Sequence, residues 1–288
     1  MAILYNTHNV DERYSAILEP NLYYGNIFQP GVTFTDKYQV GPAGQIYVHK
    51  LTTSAVEPGT PGRDFTDIVA SDSLIPIQLN NNYQQSRKIY GVAASAVAFP
   101  MANEHMAGAI ADCREGWQQS AMACLVQEST AAALTTAITD PKTDIIATRK
   151  EIVKKKGRAN VVICSPDFYG LVLESAGKDF TPSVNDRIVG AGNVGTWLGF
   201  TFIEAAGLSA ANAKYYDGTG ALKTVAFANI DYIMYYSEAL SIVTNFETTR
   251  LVDSENFVGS KAQVEMNTGF KVTNKDLVFR RAHTASGG

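Results

Sequence analysis

One stretch constrains this chain more than any other. From Ala102 to about Ala137 there is no proline, alanine is abundant, and apolar residues recur at Met106, Ile110, Cys113, Trp117, Ala121, Cys124 and Leu125. Steps of three and four put these side chains on one face of a single helix. At 1.5 Å per residue such a helix is about 54 Å long, beyond the usual globular range. It is therefore expected to be the backbone of the molecule. Gly108 and Gly116 interrupt it at a cost of roughly 1 kcal/mol each, so they mark a close approach by another element or a kink.

The segments on either side have different periods. Residues 1–35 scatter Tyr5, Tyr14, Tyr23, Tyr24, Phe28 and Phe34 among polar residues and prolines. That pattern fits either an extended arm lying on neighbouring surfaces or a frayed terminus with a short helix near Glu12 to Leu18. From Asp36 to about Ser95 the period falls to two, through Tyr38 and Val40, Ile46 and Val48, then Ile75, Ile77 and Leu79. The EPGTPG core of Ser54 to Asp64 makes a turn between strands, so the whole reads as a long β-hairpin with polar flanks at Asn80 to Asn82. A hairpin of this kind is marginal alone and needs something to lie on.

Beyond the long helix, Asp140-Pro141 sets the N-cap and first turn of a second helix ending at Lys156-Gly157. Asn160 to Cys164 reads as a short buried strand, and Ser165-Pro166-Asp167 opens a helix to about Ala176. Phe200 to Ile203, Thr224 to Ala228, Lys261 to Val272 and Leu277 to Phe279 read as further strands. The chain thus carries both helices and strands, and an α+β fold is expected.

With 288 residues, the chain can bury roughly 75% of its unfolded surface without disulfides or metals. Charged residues are only 18% and hydrophobic ones 45%, a balance that suits a protein hiding much of its surface against partners. A net charge of −4 argues against a protein that condenses nucleic acid by itself. The N-terminus has no signal-peptide character and no stretch approaches a membrane span, so synthesis in the cytosol is expected. Cys113, Cys124 and Cys164 form no CxxC pair and read as small core residues.

Candidate chemistry is sparse. Gly190, Gly192 and Gly195 form a GxGxxG, which binds a dinucleotide only between a strand and a helix. Here the preceding TPSVNDRIV is a weak strand and Gly199 with aromatics follows, so a flexible glycine loop is the expected reading. The four histidines lack metal-ligand spacing, and no cofactor or metal is expected. Lys154, Lys155, Lys156 and Arg158 form one basic cluster, either a nucleic-acid contact or a solvated helix end favoured by the dipole. Arg280-Arg281 carries the same ambiguity.

The order of parts resembles the Hong-Kong-97-type major capsid protein of tailed double-stranded-DNA bacteriophages. The segments that carry the likeness are NVVICSPDFYGLVL, NVGTWLGFTFIEAAGL and VEMNTGFKV, in that order. The resemblance implies an N-arm over residues 1–35, an E-loop hairpin over 36–95 and a peripheral (P) domain with its spine helix over 96–158. An axial (A) domain over 159–245 and returning P-domain strands over 246–288 complete it. It further implies hexamers and pentamers that close an icosahedral shell around double-stranded DNA, bound without sequence specificity. A separate scaffolding protein and a portal are expected partners, the virion capsid the location, and catalysis is not expected. Lys37, Lys50 and Asn267 are the residue types some relatives crosslink, but no motif ties them, so no crosslink is expected. By position alone, Arg63 and Phe65 beside the hairpin tip and Gly190, Gly192, Gly195 and Trp197 around the glycine loop are candidate assembly contacts. A buried Trp197 is the competing expectation. An encapsulin shell and a nucleotide-binding enzyme using Gly190 to Gly195 are the alternatives.

Overall fold

The computed structural model describes residues 27–38, 45–51, 72–91, 101–133, 135–176, 181–182 and 194–283. The N-terminal arm up to residue 26, the hairpin tip with Arg63 and Phe65, and Gly190 and Gly192 lie outside these. The described residues fall into two compact units: 83–116 and 247–266 contribute to one, and 27–82, 117–246 and 267–283 to the other, apart from the gaps just given.

The long helix, α1, runs from Met101 to Glu128. Its 28 residues span about 42 Å. It stops at Glu128 and not near Ala137, although nothing after it is a helix breaker: Ser129 bends the chain, and β4 (Thr130–Ala131) pairs in parallel with β14 (Val278–Ala282). Tertiary pairing has overridden alanine's helix propensity here. A second departure lies in the burial pattern. Ala121 through Val126 are all buried, so this end of α1 is enclosed on every side, not on one stripe.

In the smaller unit, α1 contributes Ala109 and Cys113 to a core with Val264 of β13 (Gly259–Val272). Tyr83 of β3 (Asn81–Tyr90) packs against it. The strands run in the order β12-β13-β3, with β12 at Leu240–Asp253. Gly108 is where something packs close: a Cβ there would run into the guanidinium of Arg87, which pairs with Asp112 one turn along. β3 reads locally as polar flank, because only Asn81 and Ile89 of its ten residues are buried.

The larger unit is built on a seven-stranded sheet in the order β4-β14-β11-β5-β8-β7-β6. Here β5 is Val161–Cys164, β6 Thr181–Pro182, β7 Val194–Trp197, β8 Phe200–Glu204 and β11 Ile230–Tyr235. Pairing is antiparallel except β5 with β8 and β14 with β4. The four residues of β5 are all buried, as expected of a strand covered on both faces. Helices α2 (Pro141–Lys154) and α3 (Pro166–Ala176) cover one of them. Ile145, Ile152, Phe168 and Val172 meet Val162, Cys164, Phe202, Tyr232, Met234 and Phe279 there. Both helix starts follow the local sequence: Asp140 accepts from Lys142 N at 3.1 Å, and Ser165 Oγ from Phe168 N at 3.3 Å.

Two hairpins complete this unit, β1 (Gln45–Leu51) with β2 (Asp72–Gln78), and β9 (Asn212–Tyr216) with β10 (Leu222–Ala226). The first buries Ile46, Val48 and Ile77 against Val243. Residues 27–38 pack on α1, with Phe28 and Phe34 edge-on to Trp117 at 6.1 and 6.2 Å and Ile27 N donating to Gln118 Oε1.

α2 ends in a Schellman motif: Gly157 N donates to Ile152 O at 3.0 Å and Lys156 N to Val153 O at 2.9 Å. The left-handed residue, usually glycine, is Lys156 at φ 61°. A residue with a Cβ costs about 1 kcal/mol or more in that conformation. Lys156→Gly is therefore expected to raise the melting temperature by about 2–4 °C in a thermal scan; an unchanged or lowered value would contradict the assigned helix end.

Candidate functional site

The end of α1 and the start of α2 present two buried polar demands, and β14 meets both. The last carbonyls of a helix lack intrahelical partners. Arg280 Nη1 donates to Val126 O at 2.8 Å and to Ser129 O at 3.1 Å. Glu128 sits unfavourably at the negative end of the helix dipole. It is buried but answered by Lys271 Nζ at 2.6 Å and Val272 N at 3.1 Å. The next residue of β14, Arg281, is 1% exposed. Its Nε donates to both carboxylate oxygens of Asp144, at 3.2 and 3.0 Å, and its Nη2 to Thr136 O at 2.5 Å. Tyr232 donates to Asp144 at 2.5 Å, which leaves Thr148 Oγ1 as donor to the tyrosine oxygen. Burial first, and the neighbouring Asp144 carboxylate second, raise the Tyr232 pKa. The ambiguous Arg280-Arg281 doublet is thus internal structure.

Next to this network, His283 Nδ1 lies 2.8 Å from Asp231, whose carboxyl is pushed up by burial against the opposing pull of the histidine. His49 pairs with Asp72 on the β1–β2 hairpin. No group of three His, Cys, Asp or Glu is placed to hold a metal among the described residues. Cys113, Cys124 and Cys164 are all buried. Burial drives the Cys124 and Cys164 thiols well above their ordinary pKa, the opposite of an activated nucleophile.

At the glycine loop, β7 begins at Val194 inside the GxGxxG, so Gly195 is a strand residue opposite Pro182 and Phe202. Leu198 and Gly199, at φ 52° and 82°, form a two-residue hairpin into β8. A dinucleotide site needs a helix in that place, with its N-terminus facing the phosphates. Trp197 is 5% exposed and packs beside Phe202 at 6.1 Å, a core position within the larger unit.

Of the large exposed apolar side chains, Val153, Leu171 and Leu173 lie on α2 and α3, and others pair up on hairpins. Tyr47 and Leu74, 53% and 54% exposed, occupy the outward face of β1–β2 whose inward face carries Ile46 and Val48. Tyr216 and Leu222 are exposed cross-strand partners on β9–β10. In the smaller unit, Val258 between β12 and β13 is 85% exposed, with Leu251 and Tyr90 also exposed. Apolar surface grouped in this way belongs to contacts with other molecules more often than to a lone monomer. Outward parity on the strands, one residue off the buried set, is the sequence signal that marks Tyr47 and Leu74.

No protein-family model and no curated protein matches the sequence. Solved structures do match, over nearly the whole chain. A structure of Mycobacterium phage Che8 is 17% identical, with 96% of this chain and 97% of that one covered and a TM-score of 0.67. The capsid structure of the cyanophage P-SCSP1u gives 11% identity, 96% and 93% coverage and 0.72. The capsid of Ralstonia phage GP4 gives 10% identity, 100% and 99% coverage and 0.63. The chain has the α+β fold of these phage capsid subunits, the Hong-Kong-97 type.

Arg281→Met, which strands the Asp144 carboxylate in the core, is expected to cost about 3–5 kcal/mol in urea unfolding, and Asp144→Leu/Arg281→Met to recover most of it. A loss below about 1 kcal/mol for the single variant would show that the pair does not hold these elements.

Proposed function

We propose that this chain is the major capsid protein of a tailed double-stranded-DNA phage. The observation that carries the reading is fold identity along the full length with the cyanophage and Ralstonia phage capsids, at 93–99% coverage of those chains. In this reading α1 is the spine helix of a peripheral domain that also takes in α2 and β14, β1–β2 is the base of the E-loop, and residues 159–245, with β5 and α3, are the axial domain. Subunits join as hexamers and pentamers into an icosahedral shell, with a separate scaffolding protein and a portal as assembly partners. The packaged DNA is enclosed without sequence readout. The protein acts by self-association and not by catalysis, within the virion, and is assembled in the host cytoplasm.

Surface chemistry supports this. Only 18% of residues are charged, and outward Tyr47 and Leu74 give the β1–β2 hairpin an apolar face for a neighbouring subunit. Many such contacts, each weak alone, sum over a closed shell to a stable particle.

Expressed alone and with candidate scaffolding proteins, the chain is expected to form closed, faceted shells by negative-stain electron microscopy, and native particles to hold nuclease-protected DNA. Tyr47→Asp/Leu74→Asp is expected to abolish shells while leaving the far-UV spectrum and melting temperature of the free chain unchanged. Uniform small oligomers in every condition would overturn the reading. Shells holding an enzyme in place of DNA would move it to an encapsulin.

A further inference from the structure

Charge is unevenly distributed along this chain. From Lys142 to Arg158 there are seven basic residues and two acidic ones, within a chain of net charge −4. Both acids are engaged: Asp144 is buried against Arg281, and Glu151 accepts from Ala133 N at 3.3 Å. The positive excess gathers at the C-terminal end of α2, where Lys154, Lys155, Lys156 and Arg158 are all exposed. Lys155 has internal partners, Asp276 at 2.8 Å and the Phe279 ring at 5.3 Å. The hydrogen bond from Lys155, and more weakly the charge of Lys50, hold the Asp276 carboxyl below its ordinary pKa. Lys154, Lys156 and Arg158 make no ion pair among the described residues.

The helix dipole accounts for a cation or two in this last turn but not for four crowded together, since like charges at such spacing repel. Lys156 is more informative. It holds the left-handed C-terminal position of the Schellman motif, while the glycine that would relieve it stands one residue later. Gly157 is itself fixed there, because a Cβ would run into Leu277 and Ile152. A lysine kept in a strained, exposed position without an internal partner points to a use outside the subunit.

We propose that Lys154, Lys156 and Arg158, with Lys155 beside them, are a docking surface for the phosphate backbone of double-stranded DNA. Three of the four are lysines, compact point charges suited to phosphate but not to bidentate base reading. The ring beside Lys155, Phe279, is buried and not presented to a base. Such a surface binds by counterion release, without sequence preference. The chain as a whole is acidic, so any contact with DNA favours its basic cluster over the rest of its surface. The capsid reading supplies the source of the DNA; the binding itself does not depend on it.

The full-length chain is titrated by fluorescence anisotropy against a labelled mixed-sequence duplex at several salt concentrations. Lys154→Gln/Lys156→Gln/Arg158→Gln is expected to weaken binding by about tenfold or more at low salt, and to reduce the slope of log K against log salt by about 2–3. The control Lys214→Gln/Lys223→Gln/Lys261→Gln is expected to bind as the native chain does. Lys156→Gly is expected to bind more weakly while melting higher, separating charge from stability. Equal losses in patch and control variants, or no DNA binding by the native chain whether or not an acidic polypeptide binds, would overturn the proposal. Shell formation is scored separately by electron microscopy. Normal shells from a patch variant that has lost DNA binding support the proposal; loss of shells with DNA binding intact would make the patch a subunit contact and overturn it. Absence of shells from the native chain would sink the capsid reading while leaving the binding result standing.

Discussion

The larger unit depends on a single dipeptide near the end of the chain. Arg280 caps the carbonyls that α1 leaves open at Val126 and Ser129, and Arg281 neutralises Asp144 inside the core. Removing Arg280 would strand partly buried carbonyls, and removing Arg281 would leave the buried Asp144 carboxylate without its cation, among the costliest defects a core can carry. Arg280 lies 154 residues from Val126 in sequence. The long helix, the first residues of α2 and the sheet are therefore not locked until β14 has been laid between β4 and β11. Contacts this distant in sequence raise the contact order, which slows folding.

The same closure leaves other surfaces incomplete. Inward residues of the β1–β2 hairpin reach Val243, while Tyr47 and Leu74 lie on its outward face, each more than half exposed. Tyr216 and Leu222 repeat that arrangement on β9–β10. A monomer designed to stay alone places charge at such positions. In the proposed reading they are surfaces for association to complete.

Much of this was legible wherever local chemistry decides the outcome. Asp140-Pro141 and Ser165-Pro166 declare their helices because caps act within one turn, and the four consecutive apolar residues Val161 to Cys164 declare a buried strand. The end of α1 was not legible: after Glu128 the sequence still favours helix, and only pairing of Thr130 and Ala131 with β14 extends it. β3 falls inside the stretch that reads as one hairpin to about Ser95, because Asn82 to Lys88 carry few apolar residues to announce a separate strand; its pairing with β13 is not legible locally. Arg281 reads in sequence as half of a surface doublet, since nothing local reveals that its strand position points into the core toward an acid 137 residues away. The glycine loop misleads in the other direction, its spacing imitating a phosphate cradle while Leu198 and Gly199 turn a hairpin.

Hydroxyl-radical footprinting read by mass spectrometry tests the central claim most directly, comparing the free chain with assembled shells. If the outward hairpin faces exist to be covered by neighbouring subunits, Tyr47, Leu74, Tyr216 and Leu222 will be oxidised in the free chain and strongly protected in the shell, while buried Trp197 and Phe202 stay unreactive in both. Equal oxidation of the four hairpin residues in both states would contradict the account, because the apolar surface that sets this chain apart from a lone soluble protein would then have no part in holding a shell together.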